Sequence, residues 1–105
     1  MTNADLQVIR KRIERIKAEL TRIQDMRPGS LTCQYKDAKN QKGAYYQLSY
    51  TRDMKSRTDY VPRDYVPELR REIENYKRFK ELTDEWIDLS IEQSRLMMKR
   101  ASRRQ

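Results

Sequence analysis

Histidine is absent from the 105 residues, cysteine occurs once, and there are only two glycines and three prolines. Each scarcity removes a class of function. Without histidine the chain has neither the commonest general base nor the middle member of a serine or cysteine triad. The single cysteine, Cys33, excludes an intrachain disulfide, cannot build a usual zinc site without histidine, and suits a reducing compartment. Two glycines do not make a phosphate-cradling loop. Paired carboxylates such as Asp84 and Asp88 stand at helical spacing on a charged stretch, the pattern of a solvated face rather than of an acid–base or metal pair. No cluster of Arg and His accompanies Tyr45–Tyr50 to make a tyrosine nucleophile. The expectation is a protein that is not an enzyme, with no cofactor and no metal site.

Long apolar runs are lacking too. None approaches ~18 residues, and the amino end has no apolar core of a secretory signal, so the expected location is cytoplasmic, without membrane contact. Apolar residues make up 36% and charged residues 38% of the chain, which limits the core that one copy can bury. A net charge of +8 favours an acidic partner: nucleic acid, an anionic membrane surface or an acidic protein.

What is present divides into helical flanks and a strand-like centre. Residues 43–62, GAYYQLSYTRDMKSRTDYVP, alternate with a period of two and are rich in tyrosine. Tyr46, Leu48 and Tyr50 fall on one side, and Tyr45, Gln47, Ser49 and Thr51 on the other. With Thr51 paired to Lys55, Leu48 meets Thr58 and Tyr46 meets Tyr60, giving one aromatic face and one basic face. A slip of one residue would exchange the faces, and the turn lacks the Asn-Gly or Asp-Gly pair that would prevent it. Residues 30–35 read as a further strand, followed by the polar loop 36–42.

Upstream, Leu6, Ile9, Ile13, Ile16, Leu20 and Ile23 repeat at alternating spacings of three and four, a heptad seam in a helix over 4–25. Thr2 or Asn3 caps its start, and Arg27-Pro28-Gly29-Ser30 stops it. Downstream, Leu69, Ile73 and Tyr76, then Phe79, Leu82, Trp86, Leu89 and Leu96, mark a second helix over 67–101, with Pro67 in its first turn. The step from Tyr76 to Phe79 breaks the heptad where the packing partner changes. Ile87, Ile91 and Met98 form a second apolar row, which calls for more than one neighbour. The acidic band Glu81–Glu92 suits an antiparallel return beside the basic cluster Arg10–Lys17.

The expected architecture is α+β: one domain over 1–105, a long coiled-coil-like antiparallel helical hairpin with a small three-stranded antiparallel β-meander between its helices (30–62), and a basic tail at 102–105. The second helix is expected to overhang the first by about ten residues at ~1.5 Å each. Trp86, Leu89, Leu96, Met97 and Met98 are then candidates for an oligomer interface, most simply in a dimer.

For function, the sharper expectation is a nucleic-acid-binding accessory protein. Gln47, Ser49, Thr51, Arg52, Lys55 and Arg57 have the composition of a sheet face that reaches base edges and phosphates. Lys36, Lys39 and Lys42 in the loop, and Lys99, Arg100, Arg103 and Arg104 at the carboxyl end, supply further phosphate contacts. Six of the seven tyrosines lie within 35–65 and suit stacking on bases, with Tyr46, Tyr50 and Tyr60 expected in the sheet core. The expected partners are DNA or RNA, a larger protein of a nucleoprotein complex, and a second copy of the chain. The alternative class is a structural or adaptor coiled coil acting through protein–protein contacts or self-assembly.

Arg27-Pro28-Gly29-Ser30-Leu31, the block Gly43-Ala44-Tyr45-Tyr46-Gln47-Leu48-Ser49-Tyr50, Lys55 with Arg57, and Tyr60-Val61-Pro62 resemble a widespread family of small uncharacterised prokaryotic proteins. That resemblance covers most of the chain and implies a helix, a tyrosine-rich β-block and a long closing helix. It also implies a frequent setting among mobile genetic elements. Members of that family carry several cysteines between the first two strands, a metal knuckle; only Cys33 stands there in this chain, so the metal does not carry over. The hairpin is more loosely similar to the three-stranded arm-binding domains of phage integrases.

Overall fold

A computed structural model describes residues 3–103 of the chain. Thr2, one of the two candidate caps, and Arg104, one of the candidate phosphate contacts, lie outside the described residues. The elements run α1 (Asn3–Arg22), β1 (Ser30–Asp37), β2 (Lys42–Arg52), β3 (Lys55–Val61), a short 3-10 turn (Arg63–Tyr65) and α2 (Val66–Arg103). The fold is α+β, two helices with a three-stranded antiparallel sheet of order β1-β2-β3 between them. Two compact units share α2: one is formed by the chain up to Ile23 together with the part from Arg78 onward, the other by Gln24–Lys77.

In the first unit, Leu6, Ile9, Ile13 and Ile16 of α1 are buried with Leu82, Leu89 and Leu96 of α2, and Leu20, Ile23 and Trp86 pack at the margin. Burying each such side chain contributes about 1.5–3 kcal/mol, so these apolar residues rather than the polar flanks hold the helices together. The flanks set orientation. Arg12 pairs with Glu85 at 2.6 Å and Arg78 with Glu19 at 2.6 Å, the crossed order of an antiparallel pair. The basic stretch of α1 does lie beside the acidic band of α2, displaced only slightly from the expected alignment. Leu96, expected in an overhang, is instead buried to 8% exposure against α1. Leu89 is buried in the same core, so neither residue belongs to a free surface. The roughly seven-residue spacing of Leu82, Leu89 and Leu96 simply carries the seam one heptad further than the expected overhang allowed.

In the second unit, Leu48 at 1% exposure is the centre of a core completed by Val61, Val66, Leu69 and Ile73, with Leu31 and Tyr46 against it. The first turns of α2 therefore cover one face of the sheet. The linker from α1 is tied down by two bonds: Arg27 N donates to Glu72 O at 3.0 Å, and Asn75 Nδ2 donates to Asp25 O at 2.8 Å. Gly29 has φ +137°, and a Cβ there would stand 2.7 Å from Leu48 Cδ1 and 2.9 Å from Ser49 O. Only glycine lets the chain pass that close to the core.

The β2–β3 register differs by one residue from the expected one. Arg52 faces Lys55, Thr51 faces Ser56, Ser49 faces Thr58, Leu48 faces Asp59 and Tyr46 faces Val61. The connecting turn is the two-residue loop Asp53-Met54, with φ of +54° and +62°. Positive φ at both central residues is the type I′ geometry that matches strand twist, adopted here without glycine. Val61, the apolar residue of β3, is thereby placed on the same face as Leu48. Lys55 and Arg57 move with it, onto the helix-covered side, and Tyr60 moves to the outer side.

Two stability measurements follow from these turns. Gly29→Ala should cost about 1–3 kcal/mol in urea unfolding, through strain and displacement of Leu48. Met54→Gly should raise stability by about 1 kcal/mol, because glycine adopts positive φ freely; a lower midpoint for this variant would contradict the assigned turn.

Candidate functional site

Residues opposite one another across an antiparallel ladder share a face. On the outer face of the sheet stand Ser30, Thr32 and Gln34 of β1, Tyr45, Gln47, Ser49 and Thr51 of β2, and Ser56, Thr58 and Tyr60 of β3. This surface is made of hydroxyls and amides, with no charged residue among those ten. Thr51 Oγ1 and Ser56 Oγ share a hydrogen bond at 3.2 Å, and Thr32 Oγ1 donates to Gln47 O at 3.5 Å. The expected basic face is thus divided. Gln47, Ser49 and Thr51 lie on the outer side, whereas Arg52, Lys55 and Arg57 lie on the other side near the β2–β3 turn, all exposed.

Two groups of cations flank the neutral surface along β2. At the β1–β2 end, Asp37 pairs with Lys42 across the ladder, and Lys39 sits in the connecting turn. Asp37 is occupied by that turn: its carboxylate accepts from Asn40 N at 3.3 Å and from Asn40 Nδ2 at 3.0 Å. Lys36, on the outer face, runs beside Gly43, where a Cβ would lie 3.0 Å from Lys36 Cβ. At the other end are Arg52, Lys55 and Arg57. The eleven residues of β2 separate the two groups by about 30–35 Å.

At the first of these ends the outer face is concave. A shallow cavity of about 400 Å³ is lined by Lys36, Gly43, Ala44, Tyr45 and Tyr60. Tyr60 is 70% exposed, not in the core as expected, and Tyr45 is half-buried. Gly43 keeps its floor open by lacking a side chain. A cavity with two tyrosines and a lysine at its rim offers π-faces to a planar group and a positive charge to an anion beside it. With the expected register Tyr60 falls in the core; the apolar Val61, opposite Tyr46, is the residue of β3 that signals the observed register and turns Tyr60 outward.

The remaining tyrosines have structural partners. Tyr46 packs against the Leu48 core, and the Arg27 guanidinium lies 4.6 Å from the centre of the Tyr50 ring while pairing with Asp59 at 2.5 Å. Tyr65 donates to Glu72, an interaction that raises its pKa above the ordinary value, aided by burial. Tyr35 is raised likewise, first by hydrogen bonding with Cys33 and then by the negative charge that Cys33 carries as a thiolate. Both phenols are thereby moved further from the anionic form, the reverse of an activated nucleophile. Cys33 is exposed, and among the described residues no group of three or more His, Cys, Asp or Glu stands together as a metal site would need.

Lys99, Arg100 and Arg103 are exposed on the last turns of α2, which continues as helix through Arg103. Of the residues expected to associate, Met97 and Met98 are exposed and Trp86 is half-buried under Lys17, whose Nζ lies 5.4 Å from the ring centre. Among the described residues no helix is long and apolar enough to cross a membrane.

Fold and surface together define a two-helix, three-stranded α+β protein with a neutral, tyrosine-bearing sheet face between two cationic ends. The chain belongs to the family DUF6788, a domain of unknown function, which it matches over residues 4–71: α1, the whole sheet and the first turns of α2. No curated protein and no solved structure matches it.

Proposed function

We propose that this is a non-enzymatic nucleic-acid-binding protein that holds a single strand on the outer face of its sheet. The observation that carries this reading is the cavity between Tyr45 and Tyr60 with Lys36 at its edge. One base stacks on the tyrosines, and the neighbouring phosphates meet Lys36 on the same face and Lys39 and Lys42 at the adjoining turn, none of which has an ion pair within the chain among the described residues. Gln34, Gln47, Thr32 and Thr58, on the same face, offer donors and acceptors to base edges and sugars. Arg52, Lys55 and Arg57, on the other side of the sheet, meet phosphates only where the strand leaves the outer face past the β2–β3 turn.

A single strand suits this surface better than a duplex. A duplex presents phosphates along both rims of a groove and rewards a basic face, whereas unpaired bases reward exposed rings set in a neutral surface. The net charge of +8 provides long-range attraction without selecting a sequence. The family resemblance, with its frequent setting among mobile genetic elements, supports a role as an accessory subunit in a nucleoprotein complex. Lys99, Arg100 and Arg103 supply additional cationic contacts in the same role.

Fluorescence anisotropy with labelled single-stranded DNA and RNA, and with duplex, tests this. Binding should weaken steeply between about 50 and 200 mM salt, and replacing Lys36, Lys39 and Lys42 by Gln should flatten the salt slope by up to about two. Tyr60→Ala should weaken single-strand binding by about 5–150-fold, the equivalent of ~1–3 kcal/mol for one stacked base, with an unchanged thermal midpoint. Absence of binding at low salt, or wild-type affinity in Tyr60→Ala, would remove the reading.

A further inference from the structure

We infer that two copies of the chain pair antiparallel through a second apolar face of α2, separate from the face packed on α1. At 100° per residue, Ile87, Ile91 and Met98 cluster on one side of the helix, about half a turn from Leu82, Leu89 and Leu96, while Trp86 and Met97 lie nearer α1, under Lys17 and Arg10. Ile87 is 57% exposed and Met98 61%, although both are large and apolar. Thr83, Trp86, Ile87, Ser90 and Ile91 line a groove of about 450 Å³ there. Small Ser90 beside bulky Trp86 and Ile91 is the relief into which a facing helix inserts side chains.

The charges beside this face select the occupant and its direction. Asp84, Asp88, Arg95 and Lys99 fall along one flank, all exposed, and none has a hydrogen bond or ion pair within the chain among the described residues. They are arranged as two acids at spacing i, i+4 followed by two bases at spacing i, i+4. Asp84 and Lys99 are equidistant from the bond between Ile91 and Glu92, and so are Asp88 and Arg95. A twofold axis through that point sets Asp84 of each copy against Lys99 of the other, and Asp88 against Arg95, four pairs in all. A parallel pair would instead stack acid on acid and base on base. The face is thus complementary to itself only in the antiparallel sense, as an isologous interface requires. This inference stands independently of the nucleic-acid reading.

Sedimentation equilibrium of the full chain over a concentration series, with reductant present so that Cys33 forms no cross-link, should give twice the 12.8 kDa chain mass. Asp84→Lys with Asp88→Lys, and separately Arg95→Glu with Lys99→Glu, should each raise the dimer Kd by about 100-fold, since attraction becomes repulsion at four positions. Mixing the two variants should restore association, as should combining all four reversals in one chain. A monomer at every concentration, unchanged Kd in the reversed variants, or failure of the mixture to associate would each overturn the proposal. Restored association on mixing also shows that the variants are folded.

Discussion

Leu48 faces inward against Val61, Val66, Leu69 and Ile73, and the composition of the outer surface of the sheet depends on that burial. A strand alternates its side chains, so turning one buried leucine toward α2 turns Tyr45, Gln47, Ser49 and Thr51 toward solvent. The same requirement acts on β3, where Val61 must share the covered side. The two-residue turn at Asp53-Met54 accepts positive φ at a cost of roughly 1–2 kcal/mol per residue. That cost is comparable to the gain from burying one valine, and burial of Val61 comes together with better packing of Leu48. Packing therefore decides the register that the turn residues themselves do not favour.

Helix α2 belongs to two cores. Val66, Leu69 and Ile73 serve the sheet, and Leu82, Leu89 and Leu96 serve α1. The interruption of its heptad between Tyr76 and Phe79 lies where one set gives way to the other. Its ion pairs with α1, Glu85 with Arg12 and Arg78 with Glu19, involve side chains that are 40–55% exposed, so each is worth only a fraction of a kcal/mol. Their value is directional, since a parallel arrangement of the helices would place like charges together. The flank carrying Asp84, Asp88, Arg95 and Lys99 repeats that logic on a surface the chain leaves uncovered.

On the sheet, charge and chemistry are segregated. Cations gather at the two ends of β2, and the intervening surface is neutral, bearing two accessible tyrosines. Charge acts at long range and is screened by salt, whereas the hydroxyls, amides and rings of the intervening surface act only on contact. The same tyrosine chemistry serves two purposes in one sheet: Tyr46 and Tyr50 are engaged by Leu48 and Arg27, while Tyr45 and Tyr60 remain available.

Much of the fold was legible in the residues themselves. Heptads of leucine and isoleucine mark α1 and its partner stripe on α2 because a period near 3.5 has only one structural meaning at that length. The alternation of Tyr46, Leu48 and Tyr50 marks β2, and Pro28-Gly29 and Pro62 mark the limits of the sheet. Tertiary structure alone decided how β3 lies on β2, and with it the face on which Lys55, Arg57 and Tyr60 appear. A two-residue period says which side chains share a face within one strand but not which face meets the core. It likewise decided that Leu89 and Leu96 are covered by α1, since the relative sliding of two helices depends on side-chain interdigitation along the whole contact. Local sequence therefore determined the elements, and long-range packing determined which of their side chains are available to a partner.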